Sequence, residues 1–146
     1  HDVSIIHYWL GYYPFEQIKH SGHKYSQHVQ NDRDEYEFTC NSVPCKFNLS
    51  WYYPEKIRTT AIVGSEGILF WDEEAKTITL TTDIWDDGRM NYEPTIEKYN
   101  IESNPLRNEL MEFIQCITAK RTPLTDVNNA IEVATNLDLL FIPTLP

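Results

Sequence analysis

Basic residues are scarce in this chain: twelve Lys and Arg stand against 22 Asp and Glu among 146 residues, a formal net charge of −10. No basic cluster interrupts that balance, so nucleic-acid binding, which draws its affinity from phosphate neutralisation, is excluded. Long apolar runs are missing as well. Segments such as Leu139-Leu140-Phe141-Ile142 fall far short of the ~20 residues a membrane span requires, and no membrane partner is expected. Cysteine is limited to three residues, an odd number in a chain without the charged and apolar regions of a secretory leader, which points to reduced thiols and a cytoplasmic setting. The five glycines form no G-x-G-x-x-G, Walker or G-x-S-x-G pattern, and H-E-x-x-H is absent too, so the local signatures of the common enzyme classes are missing. The chain does not start with Met and reads as a fragment.

What is present is enough apolar residue for a core, 41% of the composition, at a length where folding needs neither metal nor disulfide. His1 to Leu10 reads as a short helix with Val3, Ile6 and Leu10 on one face and Gly11 as its stop. Strands are expected at Phe15–Tyr25, Glu35–Thr39, Lys46–Tyr53, Lys56–Val63, Ile68–Trp71 and Thr77–Thr82, rich in β-branched and aromatic residues and bounded by turn signals. One further strand is expected within Thr95–Ile101. Connections of two to six residues are too short for parallel crossovers. Two helices close the chain. The first, Pro105–Lys120, has Asn104 as cap and a stripe of Leu106, Leu110, Phe113, Ile114 and Ile117. The second runs from a Thr125 cap to Phe141 and carries Val127, Ala130, Ile131, Ala134 and Leu137 toward the same core. The expected class is α+β, one open and mostly antiparallel sheet of about six strands with the helices on one face, forming a single domain over residues 1–146.

Five histidines raise the question of a metal. His20, His23 and His28 are close in sequence and His1 and His7 open the chain, but on a strand His20 and His23 point to opposite faces and cannot converge on one ion without a bulge. A site also needs a third ligand and a second shell, so no metal is expected. The acid pairs Asp86-Asp87 and Glu73-Glu74 sit in turns as solvated charge. Lys56 and Arg58, two apart on a strand, share a face that either grips a phosphate or carboxylate or forms a solvated or subunit-facing sheet edge. The aromatic concentration of Trp51, Tyr52, Tyr53, Trp71 and Trp85 reads as core and interface. Cys116 reads as core. Cys40 and Cys45 flank the turn Asn41-Ser42-Val43-Pro44 as small strand side chains.

Three segments in order carry a resemblance. His1-Asp2-Val3-Ser4-Ile5-Ile6-His7-Tyr8-Trp9-Leu10-Gly11 is the first. Ser50-Trp51-Tyr52-Tyr53-Pro54-Glu55-Lys56-Ile57-Arg58, with Val63-Gly64-Ser65-Glu66-Gly67 and Trp71-Asp72, is the second. Pro105-Leu106-Arg107-Asn108-Glu109-Leu110 through Phe113-Ile114, with Pro123-Leu124-Thr125-Asp126, is the third. Together they resemble the C-terminal domain of Gfo/Idh/MocA-family NAD(P)-dependent oxidoreductases over almost the whole chain.

The resemblance implies an open sheet backed by helices that supplies the sugar site and oligomer contacts, while the cofactor belongs to a Rossmann domain this chain lacks. No cofactor is therefore expected on this chain, and NAD or NADP in the longer parent. His1 matches the histidine of the family's D-x-x-x-H segment, the usual acid–base residue, whose Asp would lie outside the chain. A terminal histidine is otherwise a frayed end or a tag remnant; its fit with the segment to Gly11 favours a native residue. Asp2 and Ser4 are implied neighbours of substrate, Ser4 standing where relatives often have Asp, and Lys56 and Arg58 are candidates for a nucleotide-sugar phosphate. Oxidising a sugar carbinol requires a base for the hydroxyl proton, a task suited to imidazole. The implied partners are a sugar or sugar-nucleotide substrate and a second copy through the open sheet face. The rival reading is a non-enzymatic module that associates with itself or with another protein.

Overall fold

The computed structural model describes residues 1–27, 31–82, 95–98 and 104–141. His28, Trp85 and the Asp86-Asp87 pair lie outside them. The described elements are three helices, α1 (Asp2–Leu10), α2 (Pro105–Ala119) and α3 (Val127–Phe141), and seven strands. Strands β1 (Glu16–His23), β2 (Arg33–Cys40) and β3 (Val43–Ser50) form one antiparallel sheet in that order. A second antiparallel sheet holds β4 (Thr59–Val63), β5 (Gly67–Asp72), β6 (Thr77–Thr82) and β7 (Thr95–Lys98). The α+β class and the open antiparallel sheets follow the expectation, with the strands divided into sheets of three and four rather than joined in one.

The division falls after Ser50. Residues 51–58 carry no strand, Pro54 there has no N–H to give a ladder, and the β4–β5 register begins only at Thr59 opposite Asp72. Chain contacts separate accordingly into one compact unit of His1–Tyr52 with Leu110–Pro146 and another of Tyr53–Glu109.

In the first unit the core is Val3, Phe15, Tyr36, Phe38, Cys40 and Leu140, against which Ile6, Leu10, Ile18, Phe47 and Val133 pack. Alternation sets this up: Tyr36, Phe38 and Cys40 share one face of β2, and the register places Phe47 and Cys45 beside Tyr36 and Phe38. Phe15 stacks on Phe38 with ring centroids 4.2 Å apart. The β2–β3 hairpin closes through Asn41 and Ser42, at φ 50° and 63°, a two-residue turn with both central residues at positive φ, whose twist matches the right-handed twist of the strands. Cys40 and Cys45 are free thiols on the inner face, and burial raises the pKa of each.

One carboxylate ties Tyr25 and Ser26 to the start of β2. Asp32, buried, accepts N–H bonds from Tyr25 at 2.6 Å and Ser26 at 2.5 Å and the Ser26 hydroxyl at 2.8 Å. The backbone bond from Ser26 is the chief cause of its lowered pKa.

Two helix readings need correction. The α3 cap is Asp126, whose Oδ1 accepts the N–H groups of Asn128 and Asn129 at 2.9 and 3.0 Å, rather than Thr125. Its inward face is Asn129, Val133, Asn136 and Leu140, while Val127, Ile131 and Leu137 are exposed. The expected α2 stripe is exposed as well: Leu106, Leu110, Phe113, Ile114 and Ile117 all face out, and Cys116 is the residue that is buried. Asn104 caps α2 as expected, accepting from Leu106 and Arg107 N–H.

Candidate functional site

Helix α1 is short, so its placement depends on side chains rather than propensity. Val3, Ile6 and Leu10 enter the core, which leaves His1, Ser4 and Tyr8, at spacings of three and four, on another face. His1 is exposed and occupies the N-cap position without a side-chain cap bond; its carbonyl accepts the Ile5 N–H at 3.0 Å. Asp2 is exposed in the first turn, where a negative charge suits the helix dipole, and Ser4 is half-buried. Three of the sequence-derived site residues are thus gathered at one helix start.

The other end of α1 is locked. Gly11 ends the helix at φ 89°, a conformation that favours glycine, and a Cβ there would meet the Tyr13 ring at 2.9 Å. The lock itself is Asn136 of α3, 1% exposed. Its Oδ1 accepts the Phe15 N–H at 2.7 Å, and its Nδ2 donates to the Tyr13 carbonyl at 3.0 Å and to His7 Nε2 at 2.7 Å. Because the Phe15 N–H fixes which amide atom is oxygen, both Nδ2 protons are spent as donors and His7 Nε2 has to be the acceptor. His7 is 2% exposed, and its Nδ1 has no hydrogen-bond partner among the described residues. Burial is the main cause lowering its pKa, opposed by the Glu132 carboxylate.

Lys56 and Arg58 belong to the other unit. They do not sit on a strand, which corrects the expected Lys56–Val63 boundary, because pairing starts at Thr59. Lys56 Nζ lies 2.5 Å from Glu74 and an Arg58 guanidinium nitrogen 3.5 Å from Glu73, across the β5–β6 turn. Each cation already faces a carboxylate, in exposed pairs of small energetic weight. Glu73 and Glu74, expected as solvated charge, are paired because the β4–β5 ladder brings residues 56–58 beside the turn that follows β5. The sequence signal for Asn136 is only a polar residue interrupting an apolar helix. His20 and His23 do take opposite faces of β1, opposite Tyr36 and Arg33 respectively, and among the described residues no group of three or more His, Cys, Asp or Glu is placed to hold a metal.

No protein-family model matches the chain, and no curated protein matches it significantly. Solved structures do. The UDP-N-acetylglucosamine 3-dehydrogenase GnnA from Acidithiobacillus ferrooxidans superposes with a TM-score of 0.74 at 16% identity, over 94% of this chain and 42% of its own. A dehydrogenase (MviM) from Clostridium difficile gives 0.71 at 12% identity, over 94% of this chain and 44% of its own. The chain spans about two fifths of the length of these proteins. Both neighbours are dehydrogenases, and the chain has the fold of one part of each.

Proposed function

We propose that this chain is the C-terminal, substrate-binding and oligomerisation domain of an NAD(P)-dependent sugar or sugar-nucleotide dehydrogenase, cytoplasmic and longer than the sequence in hand. The observation that carries this reading is the superposition over 94% of the chain on dehydrogenases more than twice as long, in agreement with three motif segments in the same order. Under it His1, exposed at the start of a helix whose other end is locked by Asn136, is the base that takes the hydroxyl proton of the substrate. Asp2 and Ser4 line the same helix start as substrate contacts, and Lys56 and Arg58 are the phosphate candidates, each having to exchange a glutamate for the ligand.

The residues present do not fit a nicotinamide dinucleotide. Every strand pair among the described residues is antiparallel, so no switch point of a parallel sheet exists there, and no glycine-rich turn leads into a helix. Calorimetric titration of the chain with NAD and NADP, oxidised and reduced, is expected to give no binding. Micromolar affinity for any of the four overturns the reading.

A self-associating module without catalysis is the second reading, favoured by the apolar surface of the four-stranded sheet. Ile62 and Leu80, flanking Leu69 on one face, are exposed, as are Val63, Phe70 and Ile96 on the other. A two-fold interface uses one such patch twice. Light scattering coupled to gel filtration is expected to show a dimer under both readings; a mass near 17.2 kDa that does not change on concentrating removes the self-association claim from each.

A further inference from the structure

Helix α1 is held to α3 through a contact that admits one protonation state only. Asn136 is bound by two backbone groups of fixed polarity: its Oδ1 accepts the Phe15 N–H at 2.7 Å and its Nδ2 donates to the Tyr13 carbonyl at 3.0 Å. The second Nδ2 proton points at His7 Nε2, 2.7 Å away. Nε2 therefore carries the lone pair, and a neutral His7 bears its proton on Nδ1. Imidazolium has an N–H at both ring nitrogens, so protonation sets two donors against each other across the same 2.7 Å. Turning the Asn136 amide over does not relieve this. Its oxygen would then meet the imidazolium but also the Tyr13 carbonyl, and its NH2 would face the Phe15 N–H, so both backbone bonds are lost for one gained.

Among the described residues nothing else takes up the charge. His7 is buried, its Nδ1 has no hydrogen-bond partner there, and the Tyr12 and Phe15 rings meet it edge-on with centroids 5.4 and 5.8 Å away. The Tyr12 hydroxyl is occupied in turn by Asn129 Nδ2 of α3 at 3.0 Å. Glu132, exposed on α3, favours the charged ring through its field but makes no hydrogen bond to it. The imidazolium is thus accommodated when the ring leaves α3 for water. What would leave with it is limited. Helix α1 supplies Val3, Ile6 and Leu10 to the core, while Phe15, Tyr36, Phe38, Cys40 and Leu140 come from elsewhere.

We propose that the His7–Asn136 contact is an acid-released latch: a proton taken up at His7 Nε2 frees α1 from α3 by local opening about Gly11, while the three-stranded sheet stays folded. The latch does not depend on the dehydrogenase reading. Under that reading it governs the helix that carries His1.

Amide hydrogen exchange of the chain between pH 8 and pH 5, corrected for the intrinsic rate at each pH, tests this. The probes are the amides of Ile5 and Gly11, bound to the His1 and His7 carbonyls. The references are those of Tyr36 and Phe38, in the middle of β2 opposite Phe47 and Cys45. At every pH the probes are expected to be less protected than the references, as local opening requires. Their protection is expected to fall by up to about thirtyfold from pH 8 to pH 5, the gain in opening that an exposed imidazole of ordinary pKa 6.5 supplies over that range. In His7→Gln, whose amide oxygen still accepts from Asn136 Nδ2, that fall is expected to vanish. Nitrogen-15 shifts of the histidine rings are expected to place the proton of neutral His7 on Nδ1. Four results overturn the proposal: probes as protected as the references at every pH, probe protection in the parent that does not change with pH, an equal fall in His7→Gln, or a proton on His7 Nε2 at pH 8. All but the third are read on the parent chain, so the proposal is decided even where the variant does not fold.

Discussion

Replacing His1 by Ala or Asn in the full-length dehydrogenase is expected to lower turnover by roughly 10²–10⁴-fold, the usual worth of a positioned acid–base group. The reasoning is geometric before it is chemical. His1 is the first residue of a helix whose register is set by Val3, Ile6 and Leu10 in the core, so its position follows from packing that the substitution does not touch. Under the proposed function, loss of the imidazole removes the acceptor for the substrate hydroxyl proton, and the fold is expected to stay intact. Cofactor affinity is expected to stay the same, because the proposed function places the dinucleotide on a part of the enzyme other than this chain. Steady-state kinetics with a direct measurement of cofactor affinity separates the outcomes. Turnover within a few-fold of the parent would show that His1 is not the proton acceptor.

The second large effect concerns stability. Asn136→Leu is close in volume but supplies none of the three hydrogen bonds that the amide makes to Phe15, Tyr13 and His7. Each buried polar group left without a partner costs about 1–3 kcal/mol, and relaxation around the site limits the sum to roughly 3–4 kcal/mol. For a chain of this size that is a fall in Tm on the order of 10 °C. A variant melting within about 2 °C of the parent would mean that the network does not hold α1 to α3.

The same contact makes stability depend on pH. Protonation of His7 would set an N–H against the donating Asn136 Nδ2, and burial lowers its pKa below the ordinary 6.5. The folded state therefore binds fewer protons than the unfolded state over this range. The stabilisation is fully present above pH 6.5 and is lost as the pH falls from there toward the folded-state value. Carboxylates with lowered pKa, such as Asp32 and Asp126, lose their contribution only at more acid pH, below about 4. Melting curves between pH 8 and pH 5 are expected to slope downward on the acid side. In His7→Gln, which keeps an acceptor for the Asn136 amide and titrates nothing, that slope is expected to flatten.

The sequence by itself determined the local features. Alternation and turn residues located the strands and a hairpin turn within Asn41-Ser42-Val43-Pro44, which the β2–β3 ladder narrows to Asn41-Ser42 by pairing Val43 with Cys40 and Pro44 with Thr39. Asn104 before Pro105 marked the start of α2, and the spacing of Val3, Ile6 and Leu10 picked the inward face of α1. All of these depend on contacts within a few residues, where geometry is set by the chain itself. Tertiary structure decided which faces are covered. Periodicity finds an apolar stripe but does not say what lies against it, so the stripe of α2 is exposed, and α3 turns Asn136 inward because Phe15, Tyr13 and His7, all more than 120 residues away in sequence, satisfy its amide. Pairings across strands were beyond sequence for the same reason. His20 with Asp34 depends on a register that only the assembled ladder fixes, since a shift of one residue would carry each side chain to the opposite face. Lys56 and Arg58 meet Glu73 and Glu74 because the β4–β5 ladder, starting at Thr59 opposite Asp72, brings the segments that flank it together.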